Sequence, residues 1–209
     1  MEETRLYMSM PTRGTDSQHS TNSPHSVDPH STKGDGEGRW STRRIAIYAL
    51  FVALAIVASF IEFPIFPAAP YLKYDPSGIV SLIAGFAFGP MAAVLVSILS
   101  WIPHMFADPL GSIMAIAVAL GLSVPASLLY RRFHSRIGAL YGILLGSVCA
   151  LAIALLGNLV ITPLYANISV SQVVAMILPI LLPFNLLKLV IHGTVTFIIY
   201  KPVSMLVKR

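Results

Sequence analysis

The sequence predicts an all-α integral membrane protein with six transmembrane helices and both termini in the cytoplasm. Composition is the first reason. Of 209 residues, 56% are hydrophobic and 11% charged, a balance too apolar for a soluble domain of this size. The second reason is punctuation, because the apolar runs between residues 45 and 200 are separated by prolines, glycines and short charged stretches. The third is where the charges fall. Six crossings put Arg43, Arg44, Arg131, Arg132, Arg136, Lys201, Lys208 and Arg209 on the side of the termini and leave Lys73 alone on the other. The positive-inside rule makes the terminal side cytoplasmic and the protein a multi-pass cell-membrane component. The net charge of +5 is thereby a topology signal and no nucleic-acid partner is expected, since the basic residues flank lipid-facing segments.

Residues 1–39 are a different material, rich in Ser, Thr, Gly, Asp, Pro and His and almost without branched apolar residues. Such a segment cannot bury enough surface to fold, so a disordered polar tail is expected, with residues 40–209 as the membrane domain. His19, His25 and His30 recur too loosely to be expected to hold a metal, and the tail lacks the apolar core of a secretory signal. The single cysteine, Cys149, excludes a disulfide framework or a cysteine metal site within the chain.

Ile45 to Ile61 reads as the first helix, entered through Arg43-Arg44. Ala46, Ala49 and Ala53 fall along one side of it. Ala49 and Ala53 form a small-xxx-small pair that lets another helix approach, whether from inside the fold or from a partner. Four prolines keep the next stretch, Glu62 to Ser77, out of regular helix. Gly78 to Phe88 is a short second helix stopped by Gly89-Pro90. Met91 to Phe106 is the third, broken near its end by Pro103, and Ser112 to Tyr130 is the fourth, with a kink expected at Pro125. A basic loop leads into the fifth, Ile137 to Thr162, expected to end at Pro163. The sixth, Met176 to Tyr200, is expected to finish at Lys201-Pro202.

The sixth run carries the chain's most informative residues. Asn185, Lys188 and His192 stand at i, i+3 and i+7 and share a face. A charge at the centre of a membrane helix costs roughly 2.5–3.5 kcal/mol on insertion scales, so this lysine is expected to face protein or a wet cavity. Snorkelling or a hydrogen bond between helices would satisfy it; so would a polar ligand. Asn158 and Thr162 lie one turn apart near the outer end of the fifth helix. Glu62, Asp75 and Asp108, the acids beyond residue 39, fall near the same face, which points to a pocket opening outward. Aromatic residues gather there too, among them Phe63, Phe66, Tyr71, Tyr74, Trp101 and Tyr165, suited to interfacial anchoring or to stacking on a flat ligand. His104 and Asp108 at i, i+4 lack a third ligand for a metal. The chain has no phosphate loop, no His-Glu-x-x-His and no Gly-x-Ser-x-Gly, so it carries no motor and none of these catalytic devices.

The string Tyr71-Leu72-Lys73-Tyr74-Asp75-Pro76-Ser77-Gly78-Ile79, followed by Phe86-Ala87-Phe88-Gly89-Pro90, resembles the loop and second helix of the riboflavin-specific substrate-binding (S) components of energy-coupling factor (ECF) vitamin transporters. Asn158-Leu159-Val160-Ile161-Thr162-Pro163-Leu164-Tyr165 and Leu182-Pro183-Phe184-Asn185-Leu186-Leu187-Lys188 are similar to that group's fifth- and sixth-helix motifs. The likeness spans residues 44–203. It departs at Gly78, where an Asp is usual, and at Ser100-Trp101, where Lys-Asn is usual; His104 matches. The resemblance implies a six-helix protein without enzymatic activity that takes up a vitamin, with riboflavin as transported ligand and not as cofactor. Its partners would be a transmembrane coupling protein, two ATPase subunits and membrane lipid. It implies that Ala49 and Ala53 meet the coupling protein and that Lys188, Asn185 and Asn158 line the ligand pocket; Thr162, His104, Tyr74 and Asp75 complete the candidate set. Three other readings compete: an S component for another small heterocyclic vitamin, an intramembrane enzyme using Lys188 and His192, and a structural membrane subunit.

Overall fold

The computed structural model describes residues 41–67 and 69–208; the tail, with its three histidines, and Arg209 lie outside the described residues, as does the side chain of Tyr165. Helix α1 (Thr42–Phe60) starts where the Ser41 hydroxyl accepts from the Arg44 N–H at 3.3 Å. Tyr48, Phe51, Ala55 and Ser59, at helical spacing, are buried against the bundle. Ala49 and Ala53 are exposed on the opposite side, so internal packing does not account for the small pair.

The proline-rich loop is more ordered than its composition suggests. β1 (Phe63–Pro64) pairs antiparallel with β2 (Lys73–Tyr74), setting Phe63 opposite Tyr74. Ala69 and Leu72 are buried with Val173, Leu181 and Phe184, a separate apolar cluster that fastens the loop to the far end of the chain. Helix α2 (Ser77–Phe88) ends at Gly89, whose φ of 92° only glycine adopts freely, and Pro90 starts α3 (Pro90–Leu99) in the opposite direction. The expected third helix is split, its remainder a 3-10 turn at Pro103–Phe106, because Pro103 has no N–H to continue the ladder.

Helix α4 (Pro109–Arg132) is capped by Asp108, which accepts from the Gly111 N–H at 2.9 Å, and it contains Pro125. Helix α5 (Arg136–Ala166) lies close along it, Gly142 and Gly146 resting on the carbonyls of Ala126 and Leu122 where a side chain would collide. It does not stop at Pro163 as expected: losing one N–H leaves the rest of the ladder intact, and the helix ends at Asn167 in the left-handed conformation. The last expected helix likewise begins earlier and ends later. A Ser169–Gln172 capping box opens α6 (Val170–Met176), a π-helical turn spans Ile177–Leu181 around Pro179, and α7 (Leu182–Lys208) continues through Pro202.

The protein is thus an all-α membrane fold with one two-residue β pair. Among the described residues four helical stretches, Thr42–Phe60, Pro109–Arg132, Arg136–Leu164 and Val170–Val203, are long and apolar enough to cross a membrane; Ser77–Phe88 and Pro90–Phe106 are shorter and apolar. α2 packs against α1, α3, α4 and α7. Its Leu82 and Phe86 share a core with Leu122, Ile143, Leu189 and Tyr200. The loop cluster of Ala69, Leu72, Val173, Leu181 and Phe184 is separate from that core.

Candidate ligand-binding site

Between the loop, the α3–α4 connection, the first half of α4, the last half of α5 and the start of α7 lies a cavity of about 490 Å³, within the roughly 300–1,000 Å³ typical of small-molecule sites. Its polar groups converge from distant parts of the chain. Lys188 of α7 donates through Nζ to Asp75 Oδ2 at 2.6 Å, and the two side chains are 16% and 4% exposed. The partner expected for a membrane lysine is therefore the loop carboxylate, 113 residues away in sequence. Asp75 Oδ1 accepts from the Ser77 N–H at 3.1 Å and from the Ser77 hydroxyl, a local turn that also starts α2. Burial works to raise the Asp75 carboxyl. The Lys188 ammonium, then His192 and the hydrogen bonds from Lys188 and Ser77, outweigh burial and hold it below the usual carboxylate range. It stays ionised at neutral pH, and Lys188 keeps its counter-ion. Of the three ammonium donors one is used by Asp75, leaving two for a ligand.

The two asparagines are oriented by their own helices. Asn185 donates to the Leu181 carbonyl at 2.8 Å, and Asn158 to the Ala154 carbonyl at 2.7 Å. Thr162, fully buried, donates to Asn158 Oδ1 at 2.7 Å. Each amide keeps an N–H, and Asn185 its carbonyl, for the cavity that both line. Apolar and aromatic walls come from Tyr71, Trp101, Met114, Val118, Ile161 and Phe184. His104, between the rings of Phe60 and Trp101 at 4.4 and 4.7 Å, lines the rim.

Of the residues singled out from sequence, Lys188, Asn185, Asn158, His104 and Asp75 meet at the cavity. Thr162 stands behind Asn158. Tyr74 is also behind the wall: its ring packs on Phe63 and His192 at 5.4 and 5.5 Å, because strand alternation turns it away while its neighbours Lys73 and Asp75 face the cavity. Asp108 caps α4 through Oδ1, and among the described residues no group of three or more metal-ligating side chains includes it and His104. His192 is 2% exposed and hydrogen-bonds backbone, so it is placed as a support and not as a base beside Lys188. Sequence reasoning missed the α4 wall. The repeat of small residues Gly111, Ala115 and Ala119 at i, i+4 was its signal, since a ligand cavity against a helix needs short side chains there.

A model of the family described as "ECF transporter, substrate-specific component" matches residues 43–200. The chain is 27% identical over 176 residues to riboflavin transporter RibU of Staphylococcus aureus, covering 80% of this chain and 93% of that protein. It is 30% identical over 183 residues to riboflavin transporter RibU of Streptococcus thermophilus, covering 80% and 86%. Riboflavin transporter FmnP of Bacillus subtilis is 25% identical over 172 residues, covering 76% and 90%. A solved S component of a bacterial ECF transporter superposes with a TM-score of 0.68 at 27% identity, covering 80% of this chain and 98% of that one. A convergent donor set in a cavity at one end of a helical membrane fold and a family match across nearly all of that fold lead to one identity: this chain belongs to the substrate-specific components of ECF transporters, and is a transport protein of the membrane, not an enzyme.

Proposed function

We propose that the protein binds riboflavin from outside the cell and delivers it inward with a transmembrane coupling protein and two ATPase subunits. The observation that carries this is the cavity: flat aromatic and apolar walls beside Lys188, Asn185 and Asn158 suit a tricyclic ring with carbonyl and imide groups at one end. The names of the relatives support the same ligand. Purified protein titrated with riboflavin is expected to quench the flavin's fluorescence with saturation at one equivalent, and in the Trp101→Phe variant the accompanying fall in tryptophan emission should shrink. Absence of binding would remove riboflavin and leave another small heterocyclic vitamin as the ligand to test.

The reading includes six crossings with both termini cytoplasmic, supported by the eight-to-one split of basic residues, with the short apolar helices α2 and α3 counted as the two crossings beside the four long ones. Residues 1–39 are taken as a polar extension outside the membrane domain of residues 40–209, on composition alone. In a Cys149→Ser background, a single cysteine at exposed Asn167 is expected to react with an impermeant thiol reagent in intact cells, and one at exposed Ser135 is not. Labelling at Ser135 would invert the topology.

A further inference from the structure

We infer that His192, which does not line the ligand cavity, is a positioning residue for ligand capture, and that Gly78 lacks a side chain to make room for it. The inference rests on the riboflavin reading above. Its first support is a chain of contacts. The His192 Nε2–H donates to the backbone carbonyl of Asp75 at 2.9 Å, and the carboxylate of the same residue holds Lys188 at 2.6 Å. Lys188 and His192 are one turn apart on α7. Asp75 is therefore gripped twice by α7, at its carbonyl and at its carboxylate, and its backbone cannot shift without moving the group that aims the ammonium. The Ser77 hydrogen bonds act only from the α2 side.

The second support is space. A Cβ added at Gly78 would lie 2.6 Å from both Cε1 and Nδ1 of the His192 ring, closer than carbon atoms in contact approach. The ring is 2% exposed, packs on Tyr74 at 5.5 Å and is held at the Asp75 carbonyl, so a Cβ at position 78 would push on a ring already fixed by packing and a hydrogen bond. Glycine is poorly suited to a helix, and here it stands in the first turn of α2. His192 and Gly78 line a smaller chamber of about 20 Å³ that shares Asp75, Asn185 and Lys188 with the main cavity. The ring thus stands next to the polar end of the site without entering the main cavity. Position 192 supplies the grip, and position 78 the room for it.

Equilibrium and stopped-flow riboflavin binding in a double-mutant cycle tests this. His192→Leu is expected to weaken binding about tenfold, chiefly through faster dissociation, as one buried hydrogen bond fixing a ligand-holding group is lost. His192→Gln, which keeps an N–H donor, should recover most of the loss. In a Lys188→Met background His192→Leu should change affinity less than about twofold, because its effect runs through the lysine. Gly78→Ala should weaken binding as His192→Leu does and lower the ligand-free melting temperature, yet do neither when added to His192→Ala. Equal losses from His192→Leu in both backgrounds, or a silent Gly78→Ala in the otherwise native chain, would overturn the inference. If the native protein fails to bind riboflavin, the functional reading and the capture role fall together, and the melting comparison alone decides the packing of Gly78 against His192.

Discussion

Lys188→Met is expected to weaken riboflavin binding by about ten- to more than a hundredfold. Methionine keeps the length and the apolar stem and removes a charge-assisted hydrogen bond of roughly 1.5–3 kcal/mol, at about 1.4 kcal/mol per tenfold change. The structure adds a second effect of similar size. The Asp75 carboxylate, 4% exposed, would lose its counter-ion, and breaking a buried pair from one side costs about 3–5 kcal/mol. The variant should therefore also melt at a lower temperature without ligand. Adding Asp75→Asn neutralises the orphaned charge, so the double variant should regain stability while its affinity stays low. Asn185→Leu should lose less, since only neutral bonds go. If Lys188→Met binds riboflavin as well as the native chain, the lysine only holds the loop to α7.

The second large effect is expected on transport and not on binding. Ala49→Leu combined with Ala53→Leu should abolish riboflavin uptake by cells carrying the whole transporter while the purified protein keeps its affinity. Both alanines lie on the outward face of α1, whereas the buried face uses Tyr48, Phe51, Ala55 and Ser59. Leucines there leave the fold's own packing alone and hold off a partner helix that needs close backbone approach. Full uptake by the double variant would move the coupling surface elsewhere.

Much of the architecture was legible because lipid leaves strong marks on sequence. Apolar runs, proline and glycine breaks and basic flanks located α1, α2, α4 and α5 and the start of α3 to within a few residues, while α3 stops seven residues before the end read for it. The errors fell at prolines. Pro163 and Pro202 were read as stops, but a proline removes one hydrogen bond and neighbouring helices supply the rest of the support, so α5 and α7 continue. The site was half legible. Lys188, Asn185 and Asn158 declared themselves by being polar where the chain is apolar. The pairing of Lys188 with Asp75 and the fit of His192 over Gly78 are contacts across more than a hundred residues, which one sequence with local periodicity does not encode. Tyr74 is placed outside the cavity lining for a simpler reason, because two residues of strand decide which neighbours face inward.

The shortness of α2 has a consequence for how the protein is made. Twelve residues at ~1.5 Å each reach about 18 Å, well short of the ~30 Å hydrocarbon layer. Eight of those twelve residues are buried, Ser77 and Ser81 among them. Such a helix gains little by entering lipid alone and holds its depth by lying among α1, α3, α4 and α7. Since α7 is synthesised last, α2 waits for most of translation with one flank uncovered. Asp75, at its entrance, is likewise without Lys188 until the final helix arrives. The helix that completes the packing around α2 is thus also the one that completes the polar end of the site.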